Sequence, residues 1–384
     1  MIENPFHILI LFLGVISLAL ALSRRFSFVR KVSPIILILF ISAAFANLRI
    51  IRTDNPFYEQ LNGYAVPFAV CLILMQVKIS DFKKAGLPML LAFSIGALGT
   101  LFGALAGGLI LQGSLNHLLP GEGWKLAGPY IGTYIGGSVN FFAIWTGLEI
   151  SNANLFAAAN AVDYLIMTPI FLFWIVAPDF LGKYYPAGQR WRLPDLQREG
   201  DQPDGVKLDV GHLVMLSFTA LLIMFVSSWI KSEWIAPVLP NLPSILILTS
   251  IALLVAQLPF VQRWQGAQEL GTFAFYLFFA AVGAMMDIRR AVELAPMLFV
   301  YVVIILSLQV CLVLLLGKVL RLDIRLLAVA AVAAKAGPSS VIALTNAKGW
   351  NSLALPGVAA GILGYAIGNY IGFAGAYLMK FWIG

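Results

Sequence analysis

Charge is what this chain has least of: 11% of its 384 residues are charged against 60% hydrophobic, and mean hydropathy is +0.90. A soluble core cannot absorb that proportion, so most of the chain belongs inside a bilayer. The net charge of +7 is therefore no nucleic-acid signal. Its basic residues fall in short connections between apolar stretches, where they set topology. Cysteine is limited to Cys71 and Cys311, each within an apolar stretch, which argues against a disulfide framework or thiolate metal site. His7, His117 and His212 stand far apart in the chain, so zinc has no support. Neither Gly-x-Ser-x-Gly, His-Glu-x-x-His nor a phosphate loop occurs, which leaves a membrane-embedded enzyme without its chemistry. A basic leader is missing as well. Met1 to His7 carries Glu3 and no Lys or Arg, while Arg24 and Arg25 follow the first apolar run, so that run reads as an uncleaved helix despite Ala19-Leu20-Ala21.

Long apolar runs are what the chain has in quantity. They cover 5–22, 34–51, 61–77, 85–111, 126–148, 150–178, 213–230, 242–258, 270–286, 294–317, 326–347 and 349–379, each near or above the ~20 residues a membrane helix needs. The polar stretch 179–210 divides them into an N-terminal half, 1–178, and a C-terminal half, 211–384, with six runs each. The halves read as diverged copies: Gly63 and Pro88-Met89-Leu90 match Gly271 and Pro296-Met297-Leu298 at one offset, Gly137 falls opposite Gly337, and Asp163-Tyr164 opposite Asn369-Tyr370.

Positive charge decides how the runs cross. With all twelve crossing, Lys and Arg divide 11 against 13 between the two sides, which is no bias. With 126–148 and 326–347 as re-entrant hairpins, 16 face the cytoplasm, including those of the 179–210 linker and the 318–325 loop, and seven face outside. The positive-inside tendency favours the hairpins. Five true crossings per half then make the two repeats inverted. The expected fold is thus an all-α polytopic membrane protein of two inverted repeats, each with five transmembrane helices and one re-entrant or broken helix.

Two glycine-centred breaks, Tyr134-Ile135-Gly136-Gly137-Ser138-Val139-Asn140 and Ala336-Gly337-Pro338-Ser339-Ser340, mark the hairpins. Paired breaks of this kind point to a transporter binding site, because unwound backbone is tolerated at membrane depth only where it lines a site. The candidate solute-binding residues are Thr133, Gly136, Gly137, Ser138 and Asn140 in the first break, and Gly337, Pro338, Ser339, Ser340, Thr345 and Asn346 in the second. Asp163 and Lys335 are the lone charges of their runs. Burying each costs roughly 2.5–3.5 kcal/mol, so both are candidates for coupling, together with Asn160 and Asn369. Oxygens near Ser138, Asn140 and Ser339 suit a sodium ion. No cofactor is expected beyond a coupling ion, sodium or proton. The stripes Gly99, Gly103, Gly107 and Gly364, Gly368, Gly372 read as helix-packing faces.

Six runs per half, a Gly-Gly-Ser or Gly-Pro-Ser-Ser break in the fifth and a glycine-rich last run make the chain resemble the bacterial domain-of-unknown-function 819 (YjcL-like) membrane proteins over essentially its whole length. More distantly it resembles sodium/glutamate, citrate and bile-acid symporters, in repeat plan and breaks only. Gly-Gly-Ser-Val-Asn at 136–140 stands where glutamate symporters carry Gly-Gly-His-Gly-Thr, so neither glutamate nor sodium is carried over. The resemblance implies a multi-pass protein of the bacterial cytoplasmic (inner) membrane with a symporter/antiporter-like core working by alternating access, elevator fashion. The expected function is secondary active transport of a small carboxylate-bearing solute: an amino acid, an organic anion or a short cell-wall-derived peptide. The alternatives are an ion channel, for which Gly132-Thr133-Tyr134-Ile135-Gly136-Gly137 has the make-up of a carbonyl filter, and a membrane-embedded enzyme. Expected partners are the lipid bilayer, the solute and, as quaternary state, a homodimer, with no nucleic acid.

Overall fold

A computed structural model describes residues 1–26, 34–185 and 208–383, the side chain of Ser339 excepted. The 179–210 linker therefore lies mostly outside the described residues. The described chain is helical: α1 Pro5–Arg25, α2 Pro34–Asn47, α3 Pro56–Leu74, α4 Gly86–Ile110, the short α5 Gln112–Leu118, α6 Ala127–Gly136 and α7 Ser138–Gly147. It continues with α8 Ala153–Leu181, α9 Val210–Ile230, α10 Ser244–Val255, α11 Ala267–Met285, α12 Ile288–Val319, α13 Ile324–Lys348 and α14 Asn351–Ile383. Local chemistry sets the helix starts. Proline opens α1, α2 and α3, where its missing amide costs nothing. Asn4, Asn55, Asn152, Asp209, Asp287 and Asp323 each accept a bond from an amide of the helix they precede.

Each apolar run of the sequence becomes a helix or, for 126–148, a helix pair. Seven helices, α1, α4, α8, α9, α11, α12 and α14, are long and apolar enough to cross a membrane. The other three expected crossings fall short. The 14 residues of α2 and the 12 of α10 rise about 21 and 18 Å against a hydrocarbon core of roughly 30 Å. Glu59, Gln60 and Asn62 make the first turns of α3 polar. Cys311 is exposed on α12, and Trp124 is buried against Tyr377.

The two breaks have almost the same backbone. Gly137 sits at φ 80°, ψ 178° and Gly337 at φ 72°, ψ −174°, a region open essentially to glycine alone. At each the chain doubles back. A methyl group built on Gly128 would meet Ile144 and Leu148, and one on Gly132 or Gly136 would meet Asn140, so α6 and α7 lie antiparallel. In α13, the side chains of Val329 and Val341 both close on the position of a methyl built on Gly357. Twelve residues of straight helix would hold them about 18 Å apart. Segments 324–336 and 338–348 therefore form a second hairpin.

Both hairpins rest on α14, one from each end. Gly357 and Gly361 face Val329, Val341, Ala333 and Pro338 of the second hairpin, while Gly364, Gly368, Gly372 and Gly375 face Ile135, Asn140, Ile144 and Ile131 of the first. The open end of the second hairpin lies where α8 finishes, held by the Lys348–Asp179 ion pair at 2.7 Å. The open end of the first lies at the other end of α14, where Trp124 packs on Tyr377. The Gly99, Gly103, Gly107 stripe packs on Gln309, Ile305 and Tyr301 of α12. Both stripes are packing faces, as their spacing indicates.

The helices divide into two bodies. One contains α1, α2, α3, α9, α10 and α11; the other contains α4, α6, α7, α8, α12, α13 and α14. Aromatic rings fill much of the seam: Phe142 of α7 lies 4.9 Å from Phe279 and 5.1 Å from Phe275 of α11, and Phe156 of α8 lies 5.2 Å from Phe278. Two hydrogen bonds cross the seam between α10 and α14, Asn369 Nδ2 to Thr249 Oγ1 at 3.0 Å and Ser250 to Tyr370 at 2.8 Å.

The second hairpin is directly testable. With Cys71 and Cys311 replaced by serine, the double variant Val329→Cys/Val341→Cys should form an internal disulfide on mild oxidation, read as protection from a thiol-reactive mass tag. A pair that stays fully reactive would restore a straight α13.

Candidate functional site

A hairpin tip leaves unsatisfied backbone groups, because a helix that stops has carbonyls without amide partners and one that starts has amides without carbonyl partners. At the first tip the amide of Gly137 bonds back to Thr133 O at 2.8 Å and that of Asn140 to Gly137 O at 3.0 Å, and no side chain caps the start of α7. Ser138 and Val139, the first residues of α7, are half-buried, as are Ala336, Pro338 and Ser340 at the second tip. The two tips meet. A methyl built on Gly137 would lie 3.8 Å from Lys335 O. Tyr365, near the middle of α14, faces both: its Cε1 lies 3.4 Å from such a methyl on Gly137 and its Cζ 3.2 Å from one on Gly337, which would also strike its hydroxyl.

Asn140 anchors the first tip. Its Nδ2 donates to Tyr365 O at 3.2 Å and to Asn369 Oδ1 at 3.0 Å, Asn369 donates to Thr249, and Thr249 donates to Ile245 O at 2.7 Å. Every donor in this chain is spent in one direction. The buried Oδ1 of Asn140 is left without a partner. Of the residues expected near a sodium ion, Ser138, Asn140 and Ser339, Asn140 offers a buried oxygen without a partner among the described residues; the Ser339 side chain lies outside them.

The two buried charges stand apart. Asp163 takes a bond from Thr133 Oγ1 at 3.4 Å on Oδ2, while its Oδ1 has no partner. The Tyr134 hydroxyl approaches the same carboxylate, but no hydrogen bond of normal geometry reaches that hydroxyl. Asn160, one turn earlier on α8, has a buried Nδ2 without a partner. Lys335, 4% exposed, has no partner for its side-chain nitrogen among the described residues except the face of Trp174, 5.9 Å away. Trp174 is eleven residues past Asp163 on α8, about 16 Å of rise. No ion pair joins Asp163 and Lys335 among the described residues.

The remaining predicted residues separate by depth. Gly136 packs its Cα against Gly364 and Asn140, inside the first hairpin. Ser340 bonds back to Ala336 O at 3.1 Å. Thr345 lies eight residues past Gly337, about 12 Å along the helix, and bonds back to Val341 O at 2.9 Å. Asn346 is exposed beside it. Both stand at the open end of the second hairpin, away from the tips, because the return arm runs out as an ordinary helix from Pro338. Two residues escaped the sequence reading. One is Tyr365. The other is Gln309, fully buried on α12, whose Nε2 donates to Thr100 Oγ1 at 2.7 Å and Gly96 O at 3.2 Å, and whose Oε1 has no partner. Its signal was visible, as the one amide in the 294–317 run.

A family profile described as "Protein of unknown function (DUF819)" matches residues 8–381. The chain belongs to the DUF819 family. It is 29% identical over 379 residues to the uncharacterized membrane protein YjcL of Bacillus subtilis, a match that covers 95% of this chain and 94% of the relative. This DUF819 protein is thus a membrane protein by composition, by helix length and by relationship.

The asparagine chain and the far end of the second hairpin should respond differently to truncation. Asn140→Ala strands Asn369 Oδ1 in a buried place, so we expect a loss of about 1–3 kcal/mol, seen as a lower unfolding temperature in detergent. Thr345→Val removes only an intrahelical bond and should leave that temperature nearly unchanged. Equal losses in both would mean that the chain does no more than ordinary helix packing.

Proposed function

We propose that this protein is a secondary active transporter of a small carboxylate-bearing solute, bound where the two hairpin tips meet and moved by ion-coupled alternating access. The observation that carries this reading is the meeting of two hairpins, entering from opposite ends of α14, at a pair of glycines with matching backbone. Backbone that leaves the helix at such depth is tolerated where it lines a site. The start of α7 and the return arm of α13 both bring the positive end of a helix to that place. The side-chain nitrogen of Lys335, without a partner among the described residues, is a further donor nearby. An anionic group on the solute answers all three, and amino acids, organic anions and short cell-wall-derived peptides carry one.

The matching breaks, approached from opposite ends, also support reading 1–178 and 211–384 as inverted repeats joined by a cytoplasmic 179–210 linker. Two bodies meeting on an aromatic seam support an elevator-like cycle, in which the body holding both hairpins moves against the other within the bacterial inner membrane. Asp163, far from Lys335 along α8, is the group we assign to coupling, with proton or sodium as the ion. The assignment makes the protein a carrier without catalysis.

Uptake into proteoliposomes under imposed proton or sodium gradients tests this reading. Lys335→Met should lower affinity for an anionic solute by about tenfold or more, the scale of one charge-assisted hydrogen bond, while Lys335→Arg keeps part of it. Asp163→Asn should bind solute yet no longer respond to the driving gradient. Full gradient-driven uptake by both Asp163→Asn and Lys335→Met would remove these charges from the mechanism.

A further inference from the structure

Tyr365 is the side chain that both tips share. Its place is fixed from behind, because its backbone carbonyl accepts Asn140 Nδ2 of the first hairpin at 3.2 Å. Its phenol reaches across to the second, with Cζ 3.2 Å from the position of a methyl on Gly337 and Cε1 3.4 Å from one on Gly137. Both glycines have a positive φ that side chains rarely adopt. The absence of a Cβ at Gly337 is also what leaves room for the tyrosine hydroxyl. The residue is half-buried, in step with Ser138, Val139, Ala336 and Pro338 around it, whereas its helix neighbours Gly364 and Ala366 are buried. No described group hydrogen-bonds its hydroxyl. A phenol at membrane depth, beside open helix starts and without an acceptor, is a donor held ready.

We propose that Tyr365 is a specificity-determining solute contact: its hydroxyl donates to a carboxylate oxygen lying between the tips, and its ring forms one wall of the site. The inference rests on the carrier reading above and adds the residue that selects the anionic group. Lys335 contributes charge from the side, over Trp174, whereas Tyr365 contributes direction. A hydroxyl aimed from a rigid ring selects for an acceptor at one position, and a solute with an amide or ester in place of the carboxylate offers a weaker one.

The test uses the full chain purified in detergent and thermal-shift titration with succinate, citrate, L-glutamate and D-alanyl-D-alanine, each beside its neutral amide, with and without sodium and at two pH values. The wild type should be stabilised by at least one of the acids and less by its amide. Tyr365→Phe, which keeps the ring, should raise the half-saturating concentration by about tenfold to hundredfold and should narrow the acid-over-amide preference. A second set separates contact from packing. Gly337→Ala places a methyl against the hydroxyl and should lower the unfolding temperature. Adding Tyr365→Phe should return part of that loss without returning affinity. An acid that binds wild type and Tyr365→Phe equally would overturn the inference and leave the carrier reading standing. A wild type stabilised by none of the acids would overturn the carboxylate assignment and this inference with it.

Discussion

Backbone-to-backbone approach along α14 is the constraint on which the interior of this protein depends. A break in a membrane helix is tolerable only where its loosened groups are enclosed by protein, and enclosure here means bringing two hairpins against one helix. The line Gly357, Gly361, Gly364, Gly368, Gly372 and Gly375 makes that possible. Its steps of four and three follow the helical repeat, so the contacts stay on one side through about five turns. The first two serve one hairpin and the other four serve the other. Added bulk at most of these glycines would push against a backbone atom or an immovable side chain, and the tips would no longer reach Tyr365. The asparagine chain, the depth of Asp163 and the placement of Lys335 all presuppose that closeness.

Much of this was legible in the amino-acid order. Helix-breaking glycines inside apolar runs have few explanations, and the matching conformation of Gly137 and Gly337 is what their similar surroundings in the two halves implied. The charge count pointed to hairpins before any geometry was known. What could not be read was partnership. Nothing in spacing says that Lys335 will face Trp174 instead of Asp163, because that depends on which side of α8 the second hairpin lies. Thr345 and Asn346 resemble Ser340 in chemistry, but eight residues of helix put them at another depth. Tyr365 carried no signal, since a tyrosine in an apolar run reads as a membrane-surface anchor, and only the closeness of two remote glycines gives it meaning. The lengths of α2 and α10 were overestimated because apolar residues continue into the turns beyond each helix.

The separation of Asp163 from Lys335 matters for what each can do. A buried pair in contact would neutralise itself, though its desolvation can outweigh the attraction gained. Held apart, each group instead keeps an open valence among the described residues, Asp163 an acceptor beside the first hairpin and Lys335 a donor within the second. Asp163 on α8 and Lys335 on α13 belong to different elements, so a change of charge at one would act on the other only through the field of a low-dielectric interior.

The seam between the two bodies has a mechanical consequence. The rings of Phe142 and Phe156 meet those of α11 edge-on or tilted, through attractions that are less directional than a hydrogen bond. The bonds Asn369–Thr249 and Ser250–Tyr370 are the opposite kind of contact, satisfied in one alignment alone. In the cycle proposed above, the rings would be the part of the seam that gives way, and these bonds the catch that holds one alignment. Because Asn369 also holds Asn140, the catch that fixes the alignment is wired to the tip of the first hairpin.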